Sequence, residues 1–193
     1  MSNQGWMECL ATAQAAGTNL VSFTTAASLL PSAARHTIPS DDWHVGKSLG
    51  IKAAGRISNV VTAQPTFTFE LRLGPTANIV AFTTGALLTS TTAHTTVPWM
   101  LEAWLTCRSI GSGTAGTLIG QAQVTSRAFL DSGATANLVT TGHAVLLAPE
   151  TTPAVGTGFD TNVANFVDLY AACSVSNAAN AIQLEQYKLY SEN

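Results

Sequence analysis

Two segments of this chain alternate strictly between apolar and polar residues, and this period of two constrains the fold more than any other feature. In Thr66–Leu73 every second residue is Phe or Leu, and the residues between them are Thr, Glu or Arg. Val97–Arg108 repeats the pattern with one uniformly apolar face. Such alternation is typical of a strand with one buried face. Trp104 interrupts the other face of the second segment, which predicts either packing under a loop or contact with another subunit.

Eight further segments have strand character and are separated by clusters of Gly, Pro, Asn and Ser. They are Lys47–Val61, Thr117–Phe129, Val163–Val175 and Ala181–Tyr190, with shorter ones at Leu20–Thr24, Arg35–Ile38, Asn78–Thr83 and Ala144–Leu147. Gly55 and Gly120 lie inside long strands, where glycine is typical of a bulge, a bend or a close backbone approach. The turn residues Ser176–Asn180 predict a hairpin between the last two strands.

About ten strands in 193 residues predict a single all-β domain, a jelly-roll-like antiparallel β-sandwich. The segment Trp6–Ala16 lies outside the strand pattern, and its Ala, Met, Glu and Gln content favours a turn or two of helix. We therefore expect a short N-terminal arm at residues 1–19 and the sandwich at residues 20–193. Trp6 is the one aromatic residue of this arm and would order it against a partner.

The composition is poor in charge, because only 10% of the residues are charged where an ordinary soluble domain has about 25%. Abundant Thr covers the surface instead, and a surface of this kind indicates that part of it is covered in use. There is no run of Lys or Arg, which excludes nucleic acid as a direct ligand. An apolar run of membrane-spanning length is missing, and Met1–Gln4 lacks the basic start of a signal peptide. We expect a protein made in the cytoplasm, with no membrane partner.

Residues that bind metals or act as nucleophiles are few and scattered. The four histidines, His36, His44, His94 and His143, show no metal-binding spacing. The three cysteines, Cys9, Cys107 and Cys173, form no CxxC pair, and the last two fall on inward strand faces, where a reduced Cys acts as a small apolar residue. These patterns predict no metal site and no cofactor.

Three sequence features resemble sites but have simpler interpretations. Ser40–His44 contains two carboxylates, an imidazole and an indole, yet it is typical of a turn in which Trp43 covers the end of the core. Gly111–Gly116 lacks the Lys and the following helix of a phosphate loop, so it predicts a hairpin loop. Four acidic residues are spread along the second half, Asp131, Glu150, Asp160 and Asp168. Two of them would form a glycosidase pair if the fold brought them together, but the sequence does not indicate which two. With so few titratable residues, we predict that the chain is not an enzyme.

Several phrases of the sequence resemble a family of small virion proteins of tailed bacteriophages. The phrases that carry this resemblance are Leu30–Pro39, Val45–Ser58, Phe69–Gly74, Trp99–Gly111, Gly120–Val124 and Ala181–Tyr187. Members of such families are structural proteins, and several resemble jelly-roll decoration or cement proteins that form trimers on the capsid. The resemblance brings no catalytic or ligand-binding residues with it.

The leading hypothesis is therefore a virion structural protein, a decoration or cement subunit that sits on the capsid surface as a homotrimer and contacts the major capsid protein. Its candidate interaction anchors are Trp6, Trp43 and Trp104. The alternative is a tail-associated receptor-binding or glycan-binding module, with Trp43, Trp104 or the loop Gly111–Gly116 holding a saccharide. A glycan-degrading domain that uses two of the four carboxylates is the third hypothesis.

Overall fold

The computed structural model of this protein describes residues 7–129, 144–149 and 154–192. Almost all of the regular structure is β, and the only helical pieces in these ranges are three-residue 3-10 turns at Ser32–Ala34 and Ser40–Asp42. The strands are β1 Met7–Thr12, β2 Leu20–Val21, β3 Ala27–Ser28, β4 His36–Ile38, β5 Ser48–Asn59, β6 Thr66–Leu73, β7 Ile79–Thr83, β8 Leu87–Leu88, β9 His94–Ser109, β10 Thr117–Ser126, β11 Ala144–Ala148, β12 Asn165–Cys173 and β13 Ala181–Glu192. No helix in the described ranges is long and apolar enough to cross a membrane.

The strands form two antiparallel sheets that pack face to face. The larger sheet has the order β1-β13-β5-β9-β10-β11, and β2 pairs with one end of β13. The smaller sheet has the order β3-β12-β6-β7, with β4 also on β12 and β8 on β6. In β6 the burial alternates residue by residue, with the Phe and Leu side chains inside. The predicted antiparallel β-sandwich is confirmed.

The pairing of the strands is nested along the chain. Strands near the two ends of the chain pair with each other, and each further pair lies inside the previous one in sequence. β1 pairs with β13, β3 and β4 pair with β12, β5 pairs with β9, and β6 pairs with β7. The ladders of β13 with β5 and of β12 with β6 join these pairs into the two sheets. In this arrangement β1, β13, β5 and β9 form one four-stranded layer, and β3 with β4, β12, β6 and β7 form the other. Eight strand positions in this order make a jelly roll. The strands β10 and β11 extend the larger sheet.

Aromatic rings fill the centre of the sandwich between the two inner faces. Phe69 of the smaller sheet packs on Trp99 of the larger one, with ring centroids 5.1 Å apart. The indole N–H of Trp99 donates to the backbone carbonyls of Arg56 and Gln183, at 3.2 Å each. The buried indole therefore leaves no polar group unpaired, as a stable core requires.

Residues 7–12 differ from the prediction of a helical turn within an arm. They form the edge strand β1, which pairs with β13 from Met7 opposite Glu192 to Thr12 opposite Lys188. Helix-forming residues favour a helix only weakly, and pairing with an existing sheet edge outweighs that preference. Trp6 lies outside the described residues, so its role as an anchor stays a prediction.

The hairpin predicted between the last two strands is wrong. The turn Ser176–Asn180 connects β12 in the smaller sheet to β13 in the larger one, so the two strands it joins do not pair. In the turn, the Asn177 carboxamide accepts a hydrogen bond from the Ala179 N–H, and the Asn180 N–H donates to the Asn177 carbonyl. Such a turn serves a crossover between sheets as well as a hairpin, which is why its residues alone misled the prediction.

Gly55 lies opposite a bulge in β13, as predicted for a glycine inside a strand. The register shifts between Leu184, which pairs with Gly55, and Gln186, which pairs with Ala54. A Cβ on Gly55 would lie 1.9 Å from the Gln183 carbonyl oxygen, a distance that no side chain tolerates. Only glycine fits where the bulged backbone approaches this closely.

Candidate functional site

The outer face of the larger sheet, the side turned away from the core, carries the most distinctive surface of the described residues. The register places side chains of neighbouring strands in rows across it. One row runs from Tyr190 through Gly50 and Trp104 to Gln121, and the next from Lys188 through Lys52 and Glu102 to Gln123 and Leu147. The face divides into an apolar half on β9–β11 and a polar half on β13, β5 and β9.

The apolar half exposes five large side chains, which we call the apolar patch. They are Met100, Trp104, Val145, Leu147 and Val155. Leu147 is 73% exposed and Trp104 is 46% exposed. Together the five expose on the order of 500 Å², interleaved with the polar side chains Gln121 and Gln123 of β10.

Three members of the apolar patch follow the edge of the sheet, and the other two lie on β9. Val145 and Leu147 project from β11, the last strand of the larger sheet among the described residues. Val155 continues this line, since it forms an isolated bridge with Ile119 of β10. An exposed apolar edge strand is an aggregation hazard unless something covers it. The apolar patch is therefore the candidate contact surface among the described residues.

The polar half contains a groove of about 470 Å³, which we call the polar groove. Ala54 and Met100 are among its apolar lining residues, and its polar ones are Lys52, Glu102, Gln186 and Lys188. The Lys52 ammonium nitrogen lies 3.1 Å from a Glu102 carboxylate oxygen. The hydrogen bond to Glu102, followed by its charge, raises the pKa of Lys52.

Lys188 is the unbalanced charge of the polar groove. It lies directly opposite Lys52 on the neighbouring strand, and like charges at such positions repel each other. Glu102 compensates Lys52, but no carboxylate of the described residues lies within ion-pair distance of Lys188. The groove therefore has one net positive charge.

Tyr190 and Gly50 lie in the row next to Lys188 and Lys52 on β13 and β5. The Tyr190 ring lies over Gly50, so that a Cβ on this glycine would be 2.0 Å from the ring. Tyr190 is only 4% exposed although it is on the outer face. Burial raises the pKa of Tyr190, and the nearby Lys52 charge offsets part of that rise. A glycine at position 50 is thus what allows an aromatic ring to lie flat against the sheet.

The two tryptophans within the described ranges that were candidate anchors occupy opposite environments. Trp104 is exposed on the outer face, and its role as an anchor stays a prediction. Trp43 is 5% exposed and packs edge-on against Phe159, with ring centroids 5.0 Å apart. An indole enclosed in this way offers no face to a saccharide or a partner, so the choice of Trp43 as an anchor is corrected. It covers the end of the core.

The polar cluster around Trp43 serves the fold. Ser40–Asp42 form a 3-10 turn, and the ammonium nitrogen of Lys47 lies 2.9 Å from an Asp42 carboxylate oxygen. Lys47 itself is buried, and an unpaired buried ammonium would be costly. The ion pair therefore fastens the loop ahead of β5, and His44 remains exposed beside it.

Of the four candidate carboxylates, Asp131 and Glu150 lie outside the described residues. Asp160 accepts a hydrogen bond from the Asn162 N–H in the turn before β12. Asp168 is buried on β12 between its pairings with β3 and β4, where it accepts a 2.7 Å hydrogen bond from the Ser28 hydroxyl. The Arg35 Nε lies 2.8 Å from its other oxygen. Burial raises the pKa of Asp168, and these two partners offset only part of the effect.

The thiols and imidazoles are separate from one another. Cys107 and Cys173 are buried, as predicted, and donate to the backbone carbonyls of Ser109 and Val175. Burial raises the pKa of both thiols, which keeps them protonated and unreactive. Burial also lowers the pKa of His36. Among the described residues no three His, Cys, Asp or Glu side chains lie close enough together to hold a metal ion.

The glycine-rich loop Gly111–Gly116 joins the antiparallel neighbours β9 and β10, as the predicted hairpin loop would. It is tied to the segment before β12, because the Thr161 N–H donates to the Gly111 carbonyl and the Gly116 N–H donates to the Phe159 carbonyl. Positive φ angles at Gly111 and Gly113 explain the glycines. These backbone N–H and C=O groups are therefore hydrogen-bonded within the fold.

Comparisons with known proteins assign no family to this chain. No family model matches it, and no curated protein is significantly similar to it. Among solved structures it is similar to the CBM2 module of the evolved Dit of Lactobacillus casei BL23 phage J-1, at 9% identity and a TM-score of 0.33, over 98% of each chain. Because the two backbones superpose only loosely, the fold assignment depends on the strand pairing of this chain alone.

Proposed function

We propose that this chain is a structural protein of a tailed-phage virion, a capsid decoration subunit that stabilises the head through contacts between its own copies. The observation that supports this most directly is the apolar patch on a charge-poor surface. Val145 and Leu147 expose apolar area at a sheet edge, where a soluble monomer normally places charge or proline, and Trp104 adds an exposed indole on β9. The resemblance of the strand phrases to small virion proteins points to the same class.

The size of the apolar patch is suited to the centre of a subunit interface. A stable interface covers about 800 Å² on each partner, with an apolar centre and a polar rim. The patch supplies on the order of 500 Å² of such a centre, which at about 25 cal/mol per Å² corresponds to roughly 12 kcal/mol before costs. Association costs on the order of 4–15 kcal/mol, so a single contact is of modest strength. Repetition of the contact over a particle supplies the rest.

The proposed arrangement is a ring of three copies. In a cyclic trimer each contact is heterologous, which means that one patch of a subunit packs on a different surface of the next. An edge patch such as that on β11 suits this geometry because it projects to one side of the sandwich. The remaining surface of the ring is then free to bind the major capsid protein.

Particles assembled without this protein provide the test. Purified wild-type protein is expected to bind them and to raise the temperature at which they release DNA. Leu147→Glu places a charge on the most exposed residue of the apolar patch and should lower the number of bound copies at least about tenfold, since burying an unpaired charge costs several kcal/mol. Val61→Glu is the matched control, because Val61 is also about half exposed but lies beyond the far end of β5.

Failure of the wild-type protein to bind these particles would contradict the proposal. Equal binding of the Leu147→Glu and Val61→Glu proteins would contradict the role of the apolar patch. Circular dichroism of both variants establishes that each is folded before binding is compared.

A further inference from the structure

We propose that the polar groove on the outer face binds an acidic saccharide, independently of where the protein is located in a particle. The starting observation is its charge. Lys52 and Glu102 neutralise each other across a 3.1 Å contact, and Lys188 faces Lys52 from the next strand without a carboxylate of its own among the described residues. A ligand carboxylate between the two ammonium groups would relieve their repulsion.

The size and lining of the groove fit a sugar. Its volume of about 470 Å³ lies within the 300–1,000 Å³ range of small-ligand sites. Gln186 and Glu102 offer hydrogen-bond acceptors, and Gln186 and Lys188 offer donors, which is the mixture that hydroxyl groups require. The apolar floor formed by Ala54 and Met100 suits the C–H face of a sugar ring.

The backbone around the groove favours a saccharide over an acidic peptide. Peptides that bind sheets pair with a free strand edge through their main chain. The groove lies over the middle of the larger sheet, where β5 is paired with β13 on one side and β9 on the other. An acidic peptide would find no main-chain partners here, whereas a saccharide requires only the side chains that line the groove.

Titration calorimetry at fixed ionic strength tests the proposal with three ligands. These are tetragalacturonate, the neutral tetrasaccharide of galactose and a hexaglutamate peptide. We expect tetragalacturonate to bind at least about tenfold more tightly than the other two, since a charged hydrogen bond is worth about that factor. Lys188→Gln should remove this preference, and Lys188→Arg should retain it. Arg127→Gln is the control, because it removes the same charge from an exposed position outside the groove.

Four results would overturn the proposal. They are no binding of tetragalacturonate, equal binding of the acidic and neutral sugars, equally tight binding of hexaglutamate, and equal losses in the Lys188→Gln and Arg127→Gln proteins. None of these results depends on whether the protein binds phage particles, so the two proposals fail separately.

Discussion

Gly50→Ala is the substitution whose effect follows most directly from the geometry of the outer face. The new Cβ would lie 2.0 Å from the Tyr190 ring, so the ring has to lift off the sheet. Tyrosine buries about 150–250 Å², which at about 25 cal/mol per Å² is worth roughly 4–6 kcal/mol. Lifting the ring uncovers about one of its two faces, or about half of that value.

The replacement of glycine by alanine within a strand regains roughly 0.5–1 kcal/mol of conformational entropy. We therefore expect a net loss of about 2 kcal/mol in the free energy of unfolding, and a decrease of roughly 4–8 °C in Tm for a chain of this size. Chemical denaturation followed by tryptophan fluorescence measures the first quantity, and calorimetry measures the second.

A double-mutant cycle with Tyr190→Ala separates the clash from other effects. Because Tyr190→Ala removes the ring, adding Gly50→Ala to it should cost nothing or stabilise the protein slightly, so the two substitutions should be strongly non-additive. If Gly50→Ala leaves the wild-type stability unchanged, or if the two effects simply add, then the Tyr190 ring does not lie over Gly50 as described.

Three further predictions concern the interior. Burial raises the pKa of Asp168 in the folded state. The protonated side chain therefore stabilises the fold below the pKa of an unfolded Asp, and this stabilisation is lost as the pH rises through the folded-state pKa. Asp168→Asn should not show that loss when urea denaturation is measured between pH 3 and 7. Ellman's reagent should modify one thiol in the folded protein, that of exposed Cys9, and three after unfolding; fast modification of all three would contradict the burial of the other two. Trp43→Ala should lower the free energy of unfolding by about 3–5 kcal/mol because it truncates a core residue, whereas Trp104→Ala should lower it by less than about 1 kcal/mol in the isolated subunit. The reverse order in chemical denaturation would contradict the burial of Trp43 and the exposure of Trp104.

The strands that the sequence predicts well are those with one buried face. The sequence predicts both ends of β6, Thr66 and Leu73, because the burial alternates along the whole strand. β1 has no such alternation, since most of its side chains are exposed at the sheet edge. The two-residue strands β3 and β8 are too short to carry a period. Local patterns therefore identify central strands and miss edges.

The candidate site could not be predicted in this way, because it depends on register. Lys52, Glu102 and Lys188 are far apart in the chain and share a row only through the ladders of β13, β5 and β9. Trp104 was recognised because it interrupts the polar face of its own strand. For Trp43 the sequence allows both a cover for the end of the core and an interaction anchor, and packing on Phe159, more than a hundred residues away, decides for the first.

The central claim is that the apolar patch is buried between copies of this chain, and sedimentation equilibrium tests it most directly. The mass of the wild-type protein should approach three times its 20.0 kDa chain mass as its concentration is raised, Val61→Glu should match it, and Leu147→Glu should sediment as a monomer. A wild-type protein that stays monomeric at all accessible concentrations, or a Leu147→Glu protein that assembles as the wild type does, would contradict the account.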